Sequence, residues 1–308
     1  MIASFRSALQ AAHEAAGAQD YPQSALYVVA TPIGNLADIS LRALQVLGLA
    51  DVIACEDTRH THSLLRAYGI DKSSAQLLAL HQHNEAQAAH SVEDLLRQGA
   101  RVACVSDAGT PGISDPGARL VAHVRSQGLC VLPLPGASSV TALLSAAGAV
   151  QGGEQESGFV FAGFLPSKTG ERAQALDALA AQSRAFVLLE APHRMQALAQ
   201  ALASLGGRTL TVGRELSKQF EEIASMRADA LSDWLGADSM RLRGEFTLVV
   251  HAPDTPLEPK QDDRILRLLL AELPLKTAVK LAADISGEAR NALYERALVL
   301  KQQDDGES

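Results

Sequence analysis

Residues 105–117 read V-S-D-A-G-T-P-G-I-S-D-P-G and contain three glycines and two prolines. The apolar run at 101–105 directly before them predicts a buried strand. Pro116 suits a first helical position, and residues 117–127 continue with the apolar spacing of a helix. Glycine lets a backbone approach a ligand with no Cβ in the way, and proline restricts the shape of a loop. Because ligands bind where parallel strands end, the stretch predicts a ligand-binding loop, although a connecting turn is the simpler alternative.

The same arrangement recurs on both sides of this loop. Strand-like runs at 26–30, 52–55, 77–80 and 130–132 alternate with helical patterns, which predicts a parallel α/β sheet. Each run ends in glycine, proline or small polar residues, so the loops are expected to meet at one edge and line one cleft. We assign residues 25–150 to an N-terminal α/β domain.

The second half repeats this alternation after a polar, glycine-rich stretch that suits a domain boundary. Its strand-like runs are residues 159–162, 185–189, 209–214 and 246–251. The loops after these strands carry more charge than those of the first half. We therefore expect a C-terminal α/β domain over residues 151–251.

The two ends of the chain differ from this pattern. Residues 1–24 show no convincing element and are interpreted as a flexible N-terminal extension. Residues 252–263 are rich in proline and acidic side chains and are typical of a linker. Residues 264–308 contain three helical patterns with Gly287 between the last two, which indicates a helix-turn-helix-like module or a helical packing appendage.

Composition limits the classes of function. The 308 residues are 47% hydrophobic and 20% charged, typical of a globular protein, and no apolar run reaches the length of a membrane span. The three cysteines fall in apolar runs without metal-ligand spacing, which favours a reducing, cytoplasmic location and no metal. The N-terminal segment does not read as a secretory signal. A net charge of −8 means that any RNA partner must be met by a local basic patch.

Several familiar catalytic motifs are missing from the sequence. It contains no P-loop, no dinucleotide-binding glycine motif after the first strand and no serine elbow. The pair His81 and His83 is too small a ligand set to predict a metal site. A cleft of backbone-exposing loops without a phosphate cradle suits a ligand that is part apolar and part zwitterionic, such as S-adenosylmethionine. These patterns alone do not single that ligand out.

Nine short motifs, in this order, carry a resemblance to a known family. They are T-P-I-G-N-L (31–36), E-D-T-R (56–59), H-N-E (83–85), S-D-A-G-T-P-G-I-S-D-P-G (106–117), P-G-A-S-S (135–139), F-L-P (164–166), E-A-P-H-R (190–194), R-E-L-S-K (214–218) and G-E-F (244–246). Together they closely resemble the 16S ribosomal RNA cytidine 2′-O-methyltransferases of the tetrapyrrole-methylase superfamily. Ala30 replaces a proline that many members have before the first motif.

The resemblance implies an α/β tetrapyrrole-methylase-like fold with two domains, a cofactor cleft between them and a small C-terminal helical module. It further implies a homodimer that binds S-adenosylmethionine and acts on 16S rRNA in the 30S subunit. The cofactor-binding residues that it implies are Thr31, Pro32, Ile33, Asp107, Gly109, Thr110, Pro111, Ile113, Ser138, Ser139, Glu190 and Glu245. Residues 109–111 resemble a G-D-P signature of the superfamily, with threonine in place of aspartate.

Charged loop residues have competing interpretations. Asp107 and Asp115 can brace their own loop or contact the ligand. On the second-domain loops, His193, Arg194 and Lys218 are candidates for RNA binding, because phosphates need such a patch, although a solvated surface is the simpler reading.

Methylation of a ribose hydroxyl requires help with its proton, because the hydroxyl is a weak nucleophile at neutral pH. The candidate bases are Asp57 and Glu56, and the candidate polarising cations are Lys218 and Arg59; the sequence does not choose between them. Two rival functions are a tetrapyrrole-precursor methyltransferase and a non-catalytic ribosome-binding factor. Binding of S-adenosylmethionine would separate the second rival from an enzyme.

Overall fold

A computed structural model describes residues 5–81, 84–149, 158–253, 264–287 and 289–305. Two compact units make up the chain, Met1–Asp254 and Thr255–Ser308. The polar stretch expected as a boundary in the middle of the chain, residues 151–157, and most of the expected linker lie outside the described residues. Within the described ranges, no helix is long and apolar enough to cross a membrane.

The first sheet of the larger unit has five strands, and all of them are parallel. They are β1 (Ala25–Val29), β2 (Val52–Cys55), β3 (Leu77–Ala79), β4 (Arg101–Val105) and β5 (Cys130–Leu134). Their order across the sheet is β3-β2-β4-β1-β5, so β1 and β4 are neighbours at its centre. The strands predicted from the apolar runs are confirmed within two residues at each end.

Six helices accompany this sheet: α1 (Arg6–Ala16), α2 (Leu41–Leu49), α3 (Thr58–Tyr68), α4 (Glu85–Arg97), α5 (Ala118–Ser126) and α6 (Ser139–Ala147). They bury the sheet on both faces. One core contains Tyr27 and Leu44, and a second contains Leu26 and Val92, so consecutive β1 side chains enter opposite cores. This alternation is the pattern that a strand between two helical layers requires. Helix α5 starts after Gly117, so Pro116 precedes the helix instead of opening it.

The N-terminal extension contains an element that the sequence pattern did not reveal. Helix α1 packs against α2, Ala12 and Tyr21 are buried in the first core, and Ala16 is also buried. The Tyr21 hydroxyl donates to the Ala16 carbonyl at 3.0 Å. Residues 6–16 form a packed helix, so the expected flexible extension over 1–24 is wrong for the described residues.

The second sheet also has five strands, but its pairing is mixed. It consists of β6 (Phe159–Gly163), β7 (Ala185–Glu190), β8 (Thr209–Arg214), β9 (Glu222–Arg227) and β10 (Phe246–Val250) in the order β6-β7-β10-β8-β9. Only β6 and β7 are parallel, and the other pairs are antiparallel. The four strands expected in this half are confirmed, but their pairing is not the all-parallel one of the first sheet. Strand β9 was missed because it lies at the edge and alternates exposed with half-buried residues instead of forming an apolar run.

Three helices pack on the second sheet: α7 (Thr169–Ala180), α8 (Met195–Leu202) and α9 (Leu231–Gly236). Their apolar faces join Phe186, Leu248 and other strand residues in one core. A second, smaller cluster joins Leu143 of α6 to Val187 and Val249 of the second sheet. This cluster ties the two sheets together within the larger unit, next to the loops that matter for function.

The smaller unit is a three-helix module with its own core. Its helices are α10 (Arg264–Glu272), α11 (Leu275–Ser286) and α12 (Arg290–Asp305). Leu266, Val279 and Leu293 bring one buried residue from each helix into this core. Gly287 ends α11 in the left-handed conformation at φ 76°, as the sequence suggested for a turn between two helices.

Candidate functional site

Three loops at the carboxyl ends of the neighbouring strands β4, β1 and β5 are joined by hydrogen bonds. Thr31 and Gly109 exchange two backbone hydrogen bonds, with N–O distances of 2.9 and 3.1 Å. The Thr31 hydroxyl donates to the Ser106 carbonyl at 3.1 Å. From the same loop, the Thr110 hydroxyl donates to the Ala137 carbonyl at 3.2 Å. The loops after β1, β4 and β5 therefore form one preorganised surface.

All three glycines of the 105–117 loop, Gly109, Gly112 and Gly117, have a positive φ that other residues rarely adopt. Gly109 has φ 86°, and a Cβ built on it would lie 3.4 Å from Ile33 Cγ2. Gly117 has φ 125° and donates its N–H to Glu85 Oε1 at 2.9 Å. Glu85 begins α4 and is buried, so it anchors the end of the loop. The loop is held in shape from within and from a neighbouring helix.

A cavity of about 410 Å³ lies between these loops and the second sheet. Its volume is in the range of small-molecule and cofactor sites. Nine of the twelve residues expected to bind cofactor line it: Ile33, Asp107, Gly109, Thr110, Ile113, Ser138, Ser139, Glu190 and Glu245. The structure thus brings together residues from five separate segments, of which the first and the last are more than 200 positions apart in the chain.

Thr31, Pro32 and Pro111 do not line this cavity. All three are buried, and the Thr31 hydroxyl is used within the loops. Their role here is to hold the loop backbones, since prolines restrict the chain and the threonine links two loops. In the structure these residues support the loop backbones, and the expectation that the cofactor lies against them stays a prediction.

Several lining residues were not singled out from the sequence. They are mainly apolar and come from the second half and from α6: Val140, Phe164, Leu189, Leu216, Phe246 and Thr247. Phe164 and Ile113 are both about half exposed, at 51%. The F-L-P motif contained the signal for Phe164. Leu189 and Thr247 form a cross-strand pair between β7 and β10, so their positions needed the antiparallel register.

Glu190 ends β7 and faces the cavity with a buried carboxylate. Its Oε1 lies 3.1 Å from Arg194 Nε and accepts the Ala191 N–H at 2.9 Å. Its Oε2 is buried and has no hydrogen-bond partner among the described residues. Such an orphan acceptor is costly unless a ligand donates to it. Glu190 is consequently the most polar feature of the second-sheet wall.

The Arg194 guanidinium makes its contacts inside the protein. In addition to the Glu190 ion pair, its guanidinium donates to the Leu165 carbonyl. Because the charge of Arg194 already neutralises a buried carboxylate, its expected RNA-binding role gains no support from the structure and stays a prediction. Its neighbour His193 is exposed and stays a candidate for RNA contact.

A second groove adjoins the cavity and shares Ile33, Asp107, Ala108 and Glu245 with it. We call it the adjoining groove. Its other lining residues come from the first loop, from α3 and from the Lys218 loop: Pro32, Gly34, Leu36, His60, Ser63, Leu64, Ala67 and Lys218. The site is thus a cavity and a groove that meet at one line of residues.

Lys218 reaches the adjoining groove through a network of two carboxylates. Its Nζ lies 2.8 Å from both Glu215 Oε1 and Glu245 Oε2. Burial lowers the pKa of Lys218, but these hydrogen bonds outweigh that effect and raise the pKa overall. Gly34 makes room for the side chain, since a Cβ there would lie 2.2 Å from Lys218 Cγ. Lys218 is therefore a cation at neutral pH.

Carboxylates on the first-sheet side repel one another instead. Burial raises the pKa of Glu56, and Asp107, Asp115 and Asp57 raise it further. Burial and Asp107 also raise the pKa of Asp115. Asp107 accepts the Asp57 N–H at 3.2 Å and lines both the cavity and the groove. Of the acidic groups on this side, Asp107 is the best placed for ligand contact.

Asp57 and Arg59, two of the expected catalytic residues, line neither the cavity nor the adjoining groove. Asp57 caps α3 by accepting the N–H groups of Arg59 and His60. Its hydrogen bonds with Arg59 lower the pKa of Asp57 to about 2. The Arg59 side chain is 91% exposed. The structure shows a helix-capping role for Asp57, and the expected catalytic roles of this pair stay predictions.

Comparisons with known proteins agree with this architecture. Residues 25–232 match the tetrapyrrole (corrin/porphyrin) methylases, and residues 256–301 match the RsmI C-terminal HTH domain. The chain is 45% identical to ribosomal RNA small subunit methyltransferase I of Escherichia coli O157:H7, over 91% of this chain and 96% of that protein. It is 44% identical to the Pseudomonas aeruginosa protein of the same name, over 89% and 96%.

Solved structures with low sequence identity share the fold. Cobalt precorrin-4 methyltransferase superposes with a TM-score of 0.52 at 18% identity, covering 74% of this chain and 95% of that one. Uroporphyrin-III C-methyltransferase from Thermus thermophilus gives 0.51 at 21% identity, covering 74% and 94%. The expected fold class is thereby confirmed. The chain belongs to the ribosomal RNA small subunit methyltransferase I family of tetrapyrrole methylases.

Proposed function

We propose that the protein transfers a methyl group from S-adenosylmethionine to the ribose 2′-oxygen of a cytidine in 16S rRNA. The observation that carries the proposal is the meeting of the 410 Å³ cavity with the adjoining groove at Ile33, Asp107, Ala108 and Glu245. Methyl transfer needs the acceptor oxygen, the methyl carbon and the sulfur in line. A cavity for the donor and a groove for the acceptor, joined along one line, suit that requirement.

The residues of the cavity fit S-adenosylmethionine, whose sulfonium supplies an electrophilic methyl group. The open backbone at Gly109 gives a bulky ligand close access, because a Cβ would occupy that space. Glu190 Oε2 can accept a hydrogen bond from a ligand N–H, which would satisfy its orphan oxygen. Ser138 and Ser139 add hydroxyls on the opposite wall, and Ile113 and Phe164 add apolar contacts at the mouth.

In this proposal Asp107 takes the proton from the acceptor hydroxyl. It is one of two carboxylates common to the cavity and the groove; the other, Glu245, already pairs with Lys218, whereas Asp107 accepts the Asp57 N–H, which keeps it in place. Lys218 favours the alkoxide as the methyl group moves, since its paired carboxylates keep it protonated. General base catalysis of this kind typically contributes a rate factor of about 10²–10⁴.

For the substrate we propose an assembled or nearly assembled 30S particle instead of naked RNA. With a net charge of −8, the chain gains little from nonspecific attraction to phosphates, so shape and local contacts must provide selectivity. His193 and Lys218 are the proposed contacts near the site. We further propose that the enzyme is a cytoplasmic homodimer, which light scattering coupled to size exclusion can test.

The smaller unit is proposed as a second RNA contact. Its helices carry basic residues in a chain that is acidic overall: Arg264, Arg267, Lys276, Lys280, Arg290, Arg296 and Lys301. Of these, Lys276 and Lys280 are exposed on α11. A helix-turn-helix pair with exposed lysines can follow an RNA backbone.

The decisive experiment is a labelled-methyl assay on 30S subunits, followed by nucleoside analysis. We expect 2′-O-methylcytidine, slower labelling of naked 16S rRNA, and a rate about 10²–10⁴-fold lower in D107N. Asparagine keeps the shape of Asp107 and an acceptor for the Asp57 N–H, so cofactor affinity should change little. Methylation of a tetrapyrrole precursor but not of 30S subunits would overturn the assignment. Binding to 30S without cofactor binding would favour a non-catalytic factor.

A further inference from the structure

We propose that His90, Glu93 and His123 form a binding site for a divalent transition-metal ion, separate from the methyl-transfer site. His90 and Glu93 lie on α4, three positions apart, and His123 lies on the neighbouring helix α5. One potential ligand atom from each residue lies within 4.8 Å of the other two. Two imidazoles and one carboxylate are a donor set suited to Zn²⁺ and its neighbours in the first transition row.

The distances are close to those that one ion requires. His123 Nε2 lies 2.7 Å from Glu93 Oε2, and His90 Nδ1 lies 3.9 Å from the same oxygen. Ligand atoms around a tetrahedral zinc ion are about 3.4 Å apart, so small side-chain rotations suffice. His90 can rotate readily because its side chain is 72% exposed. Three protein ligands would leave the fourth position to water.

Glu93 is held in place by a group that is not itself a ligand. Arg97 donates to Glu93 Oε1 at 2.9 Å, while Oε2 faces the two histidines. Arg97 also donates to Gln127 at 3.3 Å, directly after the end of α5. Metal-binding carboxylates are commonly oriented by such outer hydrogen bonds. Arg97 thus binds Oε1 of Glu93, and Oε2, on the side of the two histidines, is the oxygen that would coordinate the ion.

The simpler interpretation is a hydrogen bond between His123 and Glu93 with no metal function. That hydrogen bond does not account for His90, whose ring meets the His123 ring edge-on with centroids 4.8 Å apart. A bound ion would replace the proton between His123 and Glu93 and draw in His90 as the third ligand. The two interpretations therefore differ in what His90 contributes.

A metal at this site would clamp α4 to α5. The same two helices flank the 105–117 loop, and Glu85 at the start of α4 binds the Gly117 N–H just before α5. An ion that binds the folded protein and not the unfolded chain raises its stability. Zinc binding should accordingly raise the midpoint of thermal unfolding.

Isothermal titration of the tag-free full-length protein with ZnCl₂ tests the proposal. We expect one ion per chain, and an affinity at least about 10-fold weaker in H90A, H123A and E93Q. The matched control is H13A, which removes an exposed histidine on α1 and should bind zinc as the wild type does. MgCl₂ should not compete, because imidazole ligands disfavour Mg²⁺.

The H90A variant decides the outcome even if the other variants disturb the fold. The His90 side chain is largely exposed to solvent, so its removal should leave the fold intact. Unchanged zinc affinity in folded H90A would show that His90 is not a ligand and would overturn the three-residue site. A zinc-dependent rise in unfolding temperature that is lost in H90A, but kept in H13A, would support it. An equal loss of zinc affinity in H90A and in H13A would indicate nonspecific surface binding and would also reject the site.

Discussion

The two walls of the cavity are built in different ways. The first-sheet wall consists of loops after parallel strands, where glycine and serine leave the backbone accessible and burial raises the pKa of the Asp115 carboxyl. The second-sheet wall follows antiparallel strands, and its charges are paired: Glu190 with Arg194, and Glu215 with Lys218. The first wall thus provides accessible backbone and carboxylates that repel one another. The second wall provides carboxylates that are neutralised by a nearby cation.

This difference shows why charge alone is a poor guide to function here. Arg194 and Lys218 occur in similar charged loops, and both looked like RNA contacts in the sequence. In the structure Arg194 is fixed to a buried carboxylate, while Lys218 opens onto the adjoining groove. The partner of each charge, which only the fold reveals, separates a structural role from a catalytic one.

The strongest test of the first-sheet wall, with its accessible backbone, is the variant G109V. We expect it to weaken S-adenosylmethionine binding by about 100-fold or more, because valine would fill the space that Gly109 leaves beside Ile33. G128V is the matched control: Gly128 also has positive φ, at 70°, but a Cβ there meets nothing within 4 Å. Both variants bear the same backbone strain, so equilibrium dialysis should separate them. Normal cofactor affinity in folded G109V would remove this loop from the site.

The ion pairs of the second-sheet wall can be tested by removing one partner of the Glu190–Arg194 pair. R194M should destabilise the protein by about 3 kcal/mol, because it leaves the Glu190 carboxylate buried and unpaired. H193A, at the adjacent exposed position, should leave the free energy of unfolding unchanged. Urea denaturation measures both. If R194M keeps full stability and instead weakens 30S binding, the assignment of Arg194 to the interior is wrong.

Much of the first wall was predictable because its signals are local. Strand ends, glycines and prolines stand next to one another in 105–117, and periodicity located the parallel strands around them. The second wall depended on pairings between distant strands, such as Leu189 with Thr247, which no local pattern contains. Capping by Asp57 was also hidden, since an aspartate before a helix and a catalytic aspartate after a strand occupy the same sequence position.

A contrast of a different kind separates the larger unit from the smaller one. Truncation after Asp263 should leave S-adenosylmethionine affinity intact and lower the rate of 30S methylation, by about 10-fold at physiological salt, with a shallower salt dependence. The larger unit keeps every residue of the cavity, so its fold and cofactor site should survive. A salt titration of the methylation rate provides the measurement. Normal methylation by the truncated chain would make the module purely structural.

The smallest expected effects are changes in the pH dependence of stability. They have opposite signs for Glu56, near the first-sheet wall, and Glu215, near the second-sheet wall. Glu56 has a raised pKa, so the folded protein loses stability as pH rises from the unfolded value of about 4.3 through the folded one. E56Q should therefore stabilise the protein at pH 7, by about 0.5 kcal/mol after solvent screening, and have no effect near pH 4.

Burial raises the pKa of Glu215, but hydrogen bonds from Lys218 and the Glu245 amide outweigh it and lower the pKa overall. Its stabilisation is therefore present above the unfolded pKa and is lost as pH falls through the folded one. E215Q should destabilise at pH 7 by a similarly small amount and become neutral in acid. Unfolding curves at several pH values would show two differences of opposite sign. Parallel curves would mean that the two walls do not differ electrostatically.

The close approach of Gly34 to Lys218 has a genetic consequence. A methyl group at residue 34 would displace the lysine stem, although Gly34 has no chemistry of its own and its backbone tolerates alanine. Positions 34 and 218 should therefore be epistatic: G34A should slow methyl transfer in the wild type but cost little in K218M, where the cation is already gone. The residues acceptable at position 34 are then set by a side chain more than 180 positions away along the chain.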